Sequence, residues 1–195
     1  MSTDPRIQRT QDRLRQAMAD LIVQRSYESI SIRDLTAAAG VGYATFFRHY
    51  AAKDALLLDL LQRSIQEMAH LLSPGIGTNP VEEGRLIFVH VAQHAQLFDI
   101  LLRGEGTLAL LEGIQMAAVA EVMSRFADRP APAIPLNILA YHLVAASIAL
   151  IGWWLQHGQP YSPERMGQIY AEMIMQPFTA LVGQENHAST HAAVG

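Results

Sequence analysis

Residues 31–53 read SIRDLTAAAGVGYATFFRHYAAK and carry the strongest structural signal in the chain. Ser31 is followed three residues later by Asp34, the spacing at which an N-cap side chain and an acidic side chain bond each other's backbone. Gly40 is placed to end this helix, because the residue after a helix often needs a positive φ. A second helix is predicted over 43–49. The segment therefore predicts two short helices joined at a glycine, the pattern of a helix-turn-helix.

The second predicted helix would present small or hydrogen-bonding side chains to solvent. These are Tyr43, Ala44, Thr45 and Arg48. Such side chains suit insertion into the major groove of DNA. Lys53 is the only lysine among 195 residues and would begin the next helix, where an ammonium and free backbone N–H groups can face a phosphate.

The charge of the chain is unevenly distributed. The net charge is −4, but residues 1–53 hold eight basic and five acidic residues, whereas residues 54–195 hold six and thirteen. A basic N-terminal quarter on an acidic body is the asymmetry expected when only one part of a protein meets phosphate.

The composition predicts an all-α fold. Half of the residues are hydrophobic, helix formers dominate, and no segment shows the alternation of a half-buried strand. Leu14, Met18 and Ile22 share one face of a first helix. With the two short helices of 31–53, about nine helices are expected, the others lying at 53–72, 81–93, 95–103, 106–127, 136–156 and 162–181.

The helix-turn-helix segment resembles the DNA-binding motif of the tetracycline-repressor (TetR) family. The matching residues are Ser31, Ile32, Asp34, Leu35, Ala39, Gly40, Val41, Thr45, Phe46, Phe47, His49, Tyr50, Lys53 and Leu56. The resemblance implies an N-terminal three-helix DNA-binding domain at residues 1–53, followed by the linking helix at 53–72. It further implies a C-terminal helical domain for ligand binding and dimerisation at 54–183. The small, polar residues 184–195 are expected to form a disordered tail.

The resemblance also implies roles for individual side chains. Core packing is the alternative for Phe46 and Tyr50, and a solvated surface position is the alternative for Lys53. Gly42 stands where the family usually has a capping Ser, and Phe47 stands where a phosphate-binding Tyr is common. Tyr43, Ala44 and Thr45 would face bases, Arg33 and Arg48 would reach bases or backbone, and His49, Tyr50 and Lys53 would hold phosphates.

A ligand pocket is expected in the middle of the chain, where apolar and aromatic side chains are mixed with a few polar ones. An ordinary core is the alternative for each candidate. His90 and His94 share a helical face, but no third ligand is visible, so neither a metal site nor a cofactor is expected. The pocket candidates are Ile65, Phe88, Val91, His94, Phe98, Met116 and Tyr141.

The segment 136–155 is long enough to cross a bilayer. It contains Asn137, His142 and Ser147 and has no flanking Lys or Arg, so we interpret it as a helix covered by protein. Together with the helix at 162–181 and the same pair in a second subunit, it would complete a four-helix bundle. The expected interface residues are Ala145, Ala149, Gly152, Trp153, Tyr170, Met173, Ile174 and Pro177.

The sequence thus predicts a cytoplasmic, dimeric repressor that a small-molecule effector releases from a pseudo-palindromic operator. Its expected partners are double-stranded DNA, a second copy and the effector, with no membrane. A ligand-independent DNA-binding protein is the alternative, and a membrane-associated helical protein is a distant one. No enzyme is expected, because catalytic signatures and phosphate loops are missing. The sequence has no Cys, which excludes disulfides and thiolate metal sites, and its start lacks the apolar core of a secretory signal.

Overall fold

The computed structural model describes residues 5–72, 78–103, 108–129 and 132–183, and these residues form helices and short connections without a strand. The predicted all-α class is confirmed. The predicted disordered tail at 184–195 lies outside the described residues. The helices are α1 (Pro5–Gln24), α2 (Ile32–Ala39), α3 (Tyr43–His49), α4 (Lys53–Leu72), α5 (Pro80–Gln93), α6 (Ala95–Arg103), α7 (Leu108–Phe126), α8 (Leu136–Gln156), α9 (Pro163–Tyr170) and α10 (Gln176–Val182).

The last predicted helix, at 162–181, is interrupted by a wider helical turn. Between α9 and α10 the helix widens into a π-helical segment, Ala171–Met175. Pro177 follows two residues after this segment, and a proline ring in a helix clashes with the carbonyl four residues before it. The wider turn removes that clash and lets the chain continue as a helix to Val182.

The chain divides into two compact units. The N-terminal unit comprises residues 1–67 and 96–107, and therefore includes α6. Within it, α1 packs against α2 and α2 against α3. Its fully buried side chains include Leu14, Met18, Leu35, Phe46, Leu56 and Leu61.

The C-terminal unit comprises residues 68–95 and 108–195. Its tightest contact joins α5 and α9 at two glycines, Gly84 and Gly167. A Cβ on Gly167 would lie 2.5 Å from the carbonyl oxygen of Val81, so only glycine allows the two backbones to approach this closely. Trp154 on α8 packs edge-on against Phe88 on α5, with ring centroids 5.1 Å apart.

One helix among the described residues, α8, is long and apolar enough to cross a membrane, with a mean hydropathy of 1.8. The central helix of a protein core can have the same length and hydropathy. In α8, Leu139, Leu143 and Trp154 are buried within the protein.

Candidate nucleic-acid interface

The start of α2 is held by the predicted capping box. The hydroxyl of Ser31 accepts a hydrogen bond from the backbone N–H of Asp34, and the Asp34 carboxylate accepts one from the backbone N–H of Ser31 at 2.9 Å. Arg25 pairs with the same carboxylate at 3.1 Å. The bonds from Ser31, followed by the one from Arg25, lower the pKa of Asp34 to about 2. The carboxylate is therefore ionised and the cap intact at neutral pH.

The turn between α2 and α3 depends on Gly40. Its φ is +60°, in the left-handed region, and its N–H donates to the carbonyls of Thr36 and Ala37. A Cβ at this position would lie 2.6 Å from a guanidinium nitrogen of Arg13. The predicted glycine-ended helix is confirmed, and the turn directs the chain into α3.

The outward face of α3 carries most of the predicted DNA-reading residues. Phe46 is fully buried and anchors the helix, while Tyr43 is 52% exposed. Gly42 precedes the helix with extended backbone and no side-chain cap, as the sequence implied. Ala44 and Arg48 are exposed, and Thr45 and His49 are half-buried.

A side-chain bond orders this face. The Arg48 guanidinium donates to the Thr45 hydroxyl at 3.1 Å, across one turn of α3. A guanidinium has five N–H donors, so most remain for a base edge or a phosphate. Arg33, the other predicted arginine, is exposed on α2.

Phe47 also lies on this exposed face, although it was not among the predicted DNA-reading residues. Its ring is 47% exposed and lies edge-on to Tyr43, with centroids 5.3 Å apart. The signal was present in the sequence, because the residue after buried Phe46 lies about 100° around the helix and so leaves the core face. The resulting aromatic surface is suited to contact a thymine methyl group.

Lys53 is held by the turn that precedes α2. Its ammonium donates to the carbonyls of Tyr27 at 2.8 Å and Ile30 at 2.9 Å, and it lies 4.1 Å from the centroid of the Tyr27 ring. The Tyr27 hydroxyl in turn donates to Asp54. The two carbonyls take two of the three N–H donors of the ammonium. Lys53 is therefore not the freely solvated lysine that the sequence left as its alternative.

Tyr50 lies at the C-terminal end of α3 and points inward. Its side chain is buried beside Phe46, and its hydroxyl donates to the carboxylate of Asp59. The structure favours the core-packing alternative for Tyr50, because the hydroxyl is directed to Asp59 and not to solvent.

The C-terminal unit has an apolar groove between α7 and α8. Its volume is about 370 Å³. Two predicted pocket residues, Met116 and Tyr141, lie in it, and both are more than half exposed. The lining residues are Met116, Val119, Met123, Asn137, Ile138 and Tyr141.

The other predicted pocket residues do not join this groove. Phe88 and Val91 are buried in the C-terminal unit, Phe88 against Trp154. Ile65 and Phe98 belong to the N-terminal unit.

The two histidines of α5 and its C-cap lie side by side. The rings of His90 and His94 have centroids 4.7 Å apart. His90 is buried and His94 half-buried. Within the part of the chain that the structure describes, no group of three or more His, Asp or Glu side chains could hold a metal ion.

The predicted dimer residues divide into two sets. Ala149, Trp153, Met173 and Pro177 are exposed, and Ala145 is half-buried. The remaining three, Gly152, Tyr170 and Ile174, are buried inside the protomer, which corrects their assignment to an interface. Tyr170 is buried because its side chain packs on Gly84 of α5.

A sequence profile of bacterial regulatory proteins of the tetR family matches residues 14–60, which cover the capped α2, the glycine turn and α3. The N-terminal segment is therefore similar to the DNA-binding segment of that family. An uncharacterized HTH-type transcriptional regulator, YxbF of Bacillus subtilis (strain 168), is 24% identical to this chain over 177 residues. The match covers 88% of this chain, which spans only 46% of that relative's length.

Solved structures of regulators show the same fold as this chain. A tetR-family transcriptional regulator from Streptomyces coelicolor superposes with a TM-score of 0.70 at 20% identity, over 93% of this chain and 83% of that one. NalD of Pseudomonas aeruginosa, described as the secondary repressor of the MexAB-OprM multidrug efflux pump, superposes with a TM-score of 0.67 at 16% identity. That match covers 92% of this chain and 97% of NalD.

Proposed function

We propose that this chain is a DNA-binding transcriptional regulator of the TetR family and that its residues 1–53 read the operator. The observation that carries the proposal is the outward face of α3. Tyr43, Ala44, Phe47 and Arg48 are exposed on a short helix that buried Phe46 anchors in the core. A helix presented in this way, next to a capped α2, has the arrangement that enters the major groove of DNA.

Residues 54–183 are proposed to bind a small-molecule effector and to form a dimer. The groove between α7 and α8 offers such a molecule apolar walls with one amide, from Asn137, and one phenol, from Tyr141. In the dimer, the two DNA-binding domains can adopt different arrangements. An effector releases DNA only to the extent that it binds one of these arrangements better than the other. Repression in the cytoplasm is the proposed mode, in line with the function that NalD's description gives for that protein.

The DNA-reading role of α3 is tested with Arg48→Ala. A guanidinium bonded to a base contributes roughly 1–3 kcal/mol of discrimination, so affinity for the preferred duplex is expected to fall about tenfold. To obtain this duplex, the wild-type protein is first tested on DNA that flanks its own gene. It then selects its preferred sequence from a pool of random duplexes. Affinity is measured by gel shift.

Arg103→Ala is the matched control. Arg103 is exposed on α6, pairs with Asp99 and lies outside α2 and α3. It is expected to bind the selected duplex like the wild type. Equal losses for Arg48→Ala and Arg103→Ala would show that α3 has no special role, and failure of the wild type to select any duplex would end the DNA-binding proposal.

The proposed dimer is tested with Met173→Glu. Met173 is 68% exposed on the last helical stretch, where an apolar side chain is costly to leave in water. A carboxylate there would lose hydration in a four-helix interface without gaining a partner, so the variant is expected to sediment as a monomer. Val23→Glu, at a similarly exposed position on α1, should remain a dimer. Sedimentation velocity distinguishes the two, and a dimeric Met173→Glu would place the interface elsewhere.

A further inference from the structure

The carboxylate of Asp59 joins three helical elements of the N-terminal unit. One oxygen of Asp59, on α4, accepts a bond from Nε of Arg15 on α1 at 2.8 Å. The same oxygen accepts a bond from the hydroxyl of Tyr50, the residue that caps the C-terminal end of α3. Arg15 also pairs with Asp12 at 2.7 Å, so its guanidinium is fixed from two sides.

In this cluster Tyr50 is a hydrogen-bond donor, Asp59 is the acceptor and Arg15 supplies the compensating charge. Burial, together with the bond to Asp59, raises the pKa of the Tyr50 hydroxyl above its usual value, so the hydroxyl stays protonated and is the donor. The guanidinium of Arg15 compensates the half-buried carboxylate, which would otherwise be expensive to hold out of water. The bond between Tyr50 and Asp59 is therefore charge-assisted, a class stronger than neutral hydrogen bonds.

A directional bond matters for α3 because its own sequence stabilises this helix only weakly. With seven residues, α3 is too short to be stable alone, and Gly42 gives its N-terminus no side-chain cap. Phe46 fills the core beneath it, but apolar packing has no preferred direction. The hydrogen bond between Tyr50 and Asp59 is directional and links the end of α3 to the neighbouring helix α4.

We propose that Asp59 is a positioning residue for DNA recognition. Through the Tyr50 hydroxyl it sets the angle at which α3 enters the major groove, and it does so without contacting DNA itself. This inference rests on the proposed DNA-binding function. It predicts that loss of the bond lowers affinity for the preferred duplex while nonspecific binding, which depends on phosphate contacts, is retained.

The test compares Tyr50→Phe, which removes only the hydroxyl, with Tyr161→Phe, which removes an exposed hydroxyl in the C-terminal unit. The probes are the duplex selected by the wild type and a scrambled duplex of equal length. A bond to a charged group at this strength predicts about a tenfold loss for Tyr50→Phe on the selected duplex. On the scrambled duplex the affinity should change less than about twofold, with the same dependence on salt.

A double-variant cycle shows whether the hydroxyl acts through Asp59. Asp59→Asn keeps the shape of the side chain but loses its charge. If one bond carries the effect, Tyr50→Phe should cost little affinity in the Asp59→Asn background. Additive losses would mean that Tyr50 and Asp59 act separately and would overturn the proposal.

The remaining outcomes are also decisive. A wild type that selects no duplex would overturn the DNA-binding function and, with it, this inference. A wild type that selects a duplex bound equally well by Tyr50→Phe would overturn the positioning role alone. Equal losses on both duplexes, accompanied by a lower melting temperature, would assign Tyr50 to fold stability and not to recognition.

Discussion

Trp154→Ala is expected to destabilise the C-terminal unit by about 3–5 kcal/mol, the range for truncating a large buried aromatic side chain. Trp154 is 1% exposed, and its ring packs edge-on against Phe88. Its indole N–H donates to the carbonyl of Tyr161 at 2.9 Å, and the truncation would leave that carbonyl without this donor. The change in unfolding free energy is measured by urea denaturation followed by far-UV circular dichroism.

The next residue in the sequence provides the control. Trp153 is 41% exposed and stacks on Tyr161 and on His157 at the surface. Trp153→Ala should lower the unfolding free energy of the isolated subunit clearly less than Trp154→Ala, because a much larger fraction of its surface is already in water. Its effect should appear in sedimentation, since Trp153 belongs to the proposed dimer face. Similar losses of stability in the two variants, measured at a concentration where both are monomeric, would contradict the assigned burial.

Phe46→Ala is expected to have a comparable effect on the N-terminal unit, again about 3–5 kcal/mol. Phe46 has no exposed surface and contacts the ring of Tyr50 at a centroid distance of 5.9 Å. The cavity left by its removal would lie directly beneath α3, which is too short to persist without tertiary contacts. Binding to the selected duplex should therefore be lost along with stability. Thermal melting and gel shift are measured on the same preparation.

Phe47→Ala separates folding from recognition at the adjacent position. Because Phe47 is half exposed, its truncation should change stability by less than about 1 kcal/mol, as for most surface substitutions. A reduced affinity for the selected duplex at unchanged stability would place the ring in the interface with DNA. If Phe47→Ala unfolded the unit as readily as Phe46→Ala, the orientation of α3 described above would be wrong.

Local interactions explain why so much of the fold could be predicted. The capping box of Ser31 and Asp34 and the left-handed Gly40 depend on atoms only a few residues apart, so the residue types alone specify them. The limits of α8, Leu136–Gln156, agree with the predicted helix for the same reason: proline and glycine lie just outside it. Predicting where these helices end required no tertiary information. The same holds for the order of the short helices in the N-terminal unit.

Tertiary packing determined which side chains are available to a partner. An apolar stripe shows that a helix face is covered, but not by what. Tyr170 and Ile174 were therefore predicted at a dimer interface, whereas both are buried within one protomer. For Tyr170 the cause is the close approach of α5 and α9. That approach depends on Gly84 and Gly167, which are 83 positions apart and which no local pattern connects.

The N-terminal unit shows the same difference between what the sequence predicts and what packing decides. The presence of Lys53 and Tyr50 in a basic, helix-turn-helix segment follows from the sequence. The partners of Lys53 do not, because the carbonyls of Tyr27 and Ile30 come from a turn more than twenty residues earlier. Hydrogen bonds over such separations form only after the helices have packed. Residue type therefore indicated which side chains can donate or accept, and the assembled helices decided their partners.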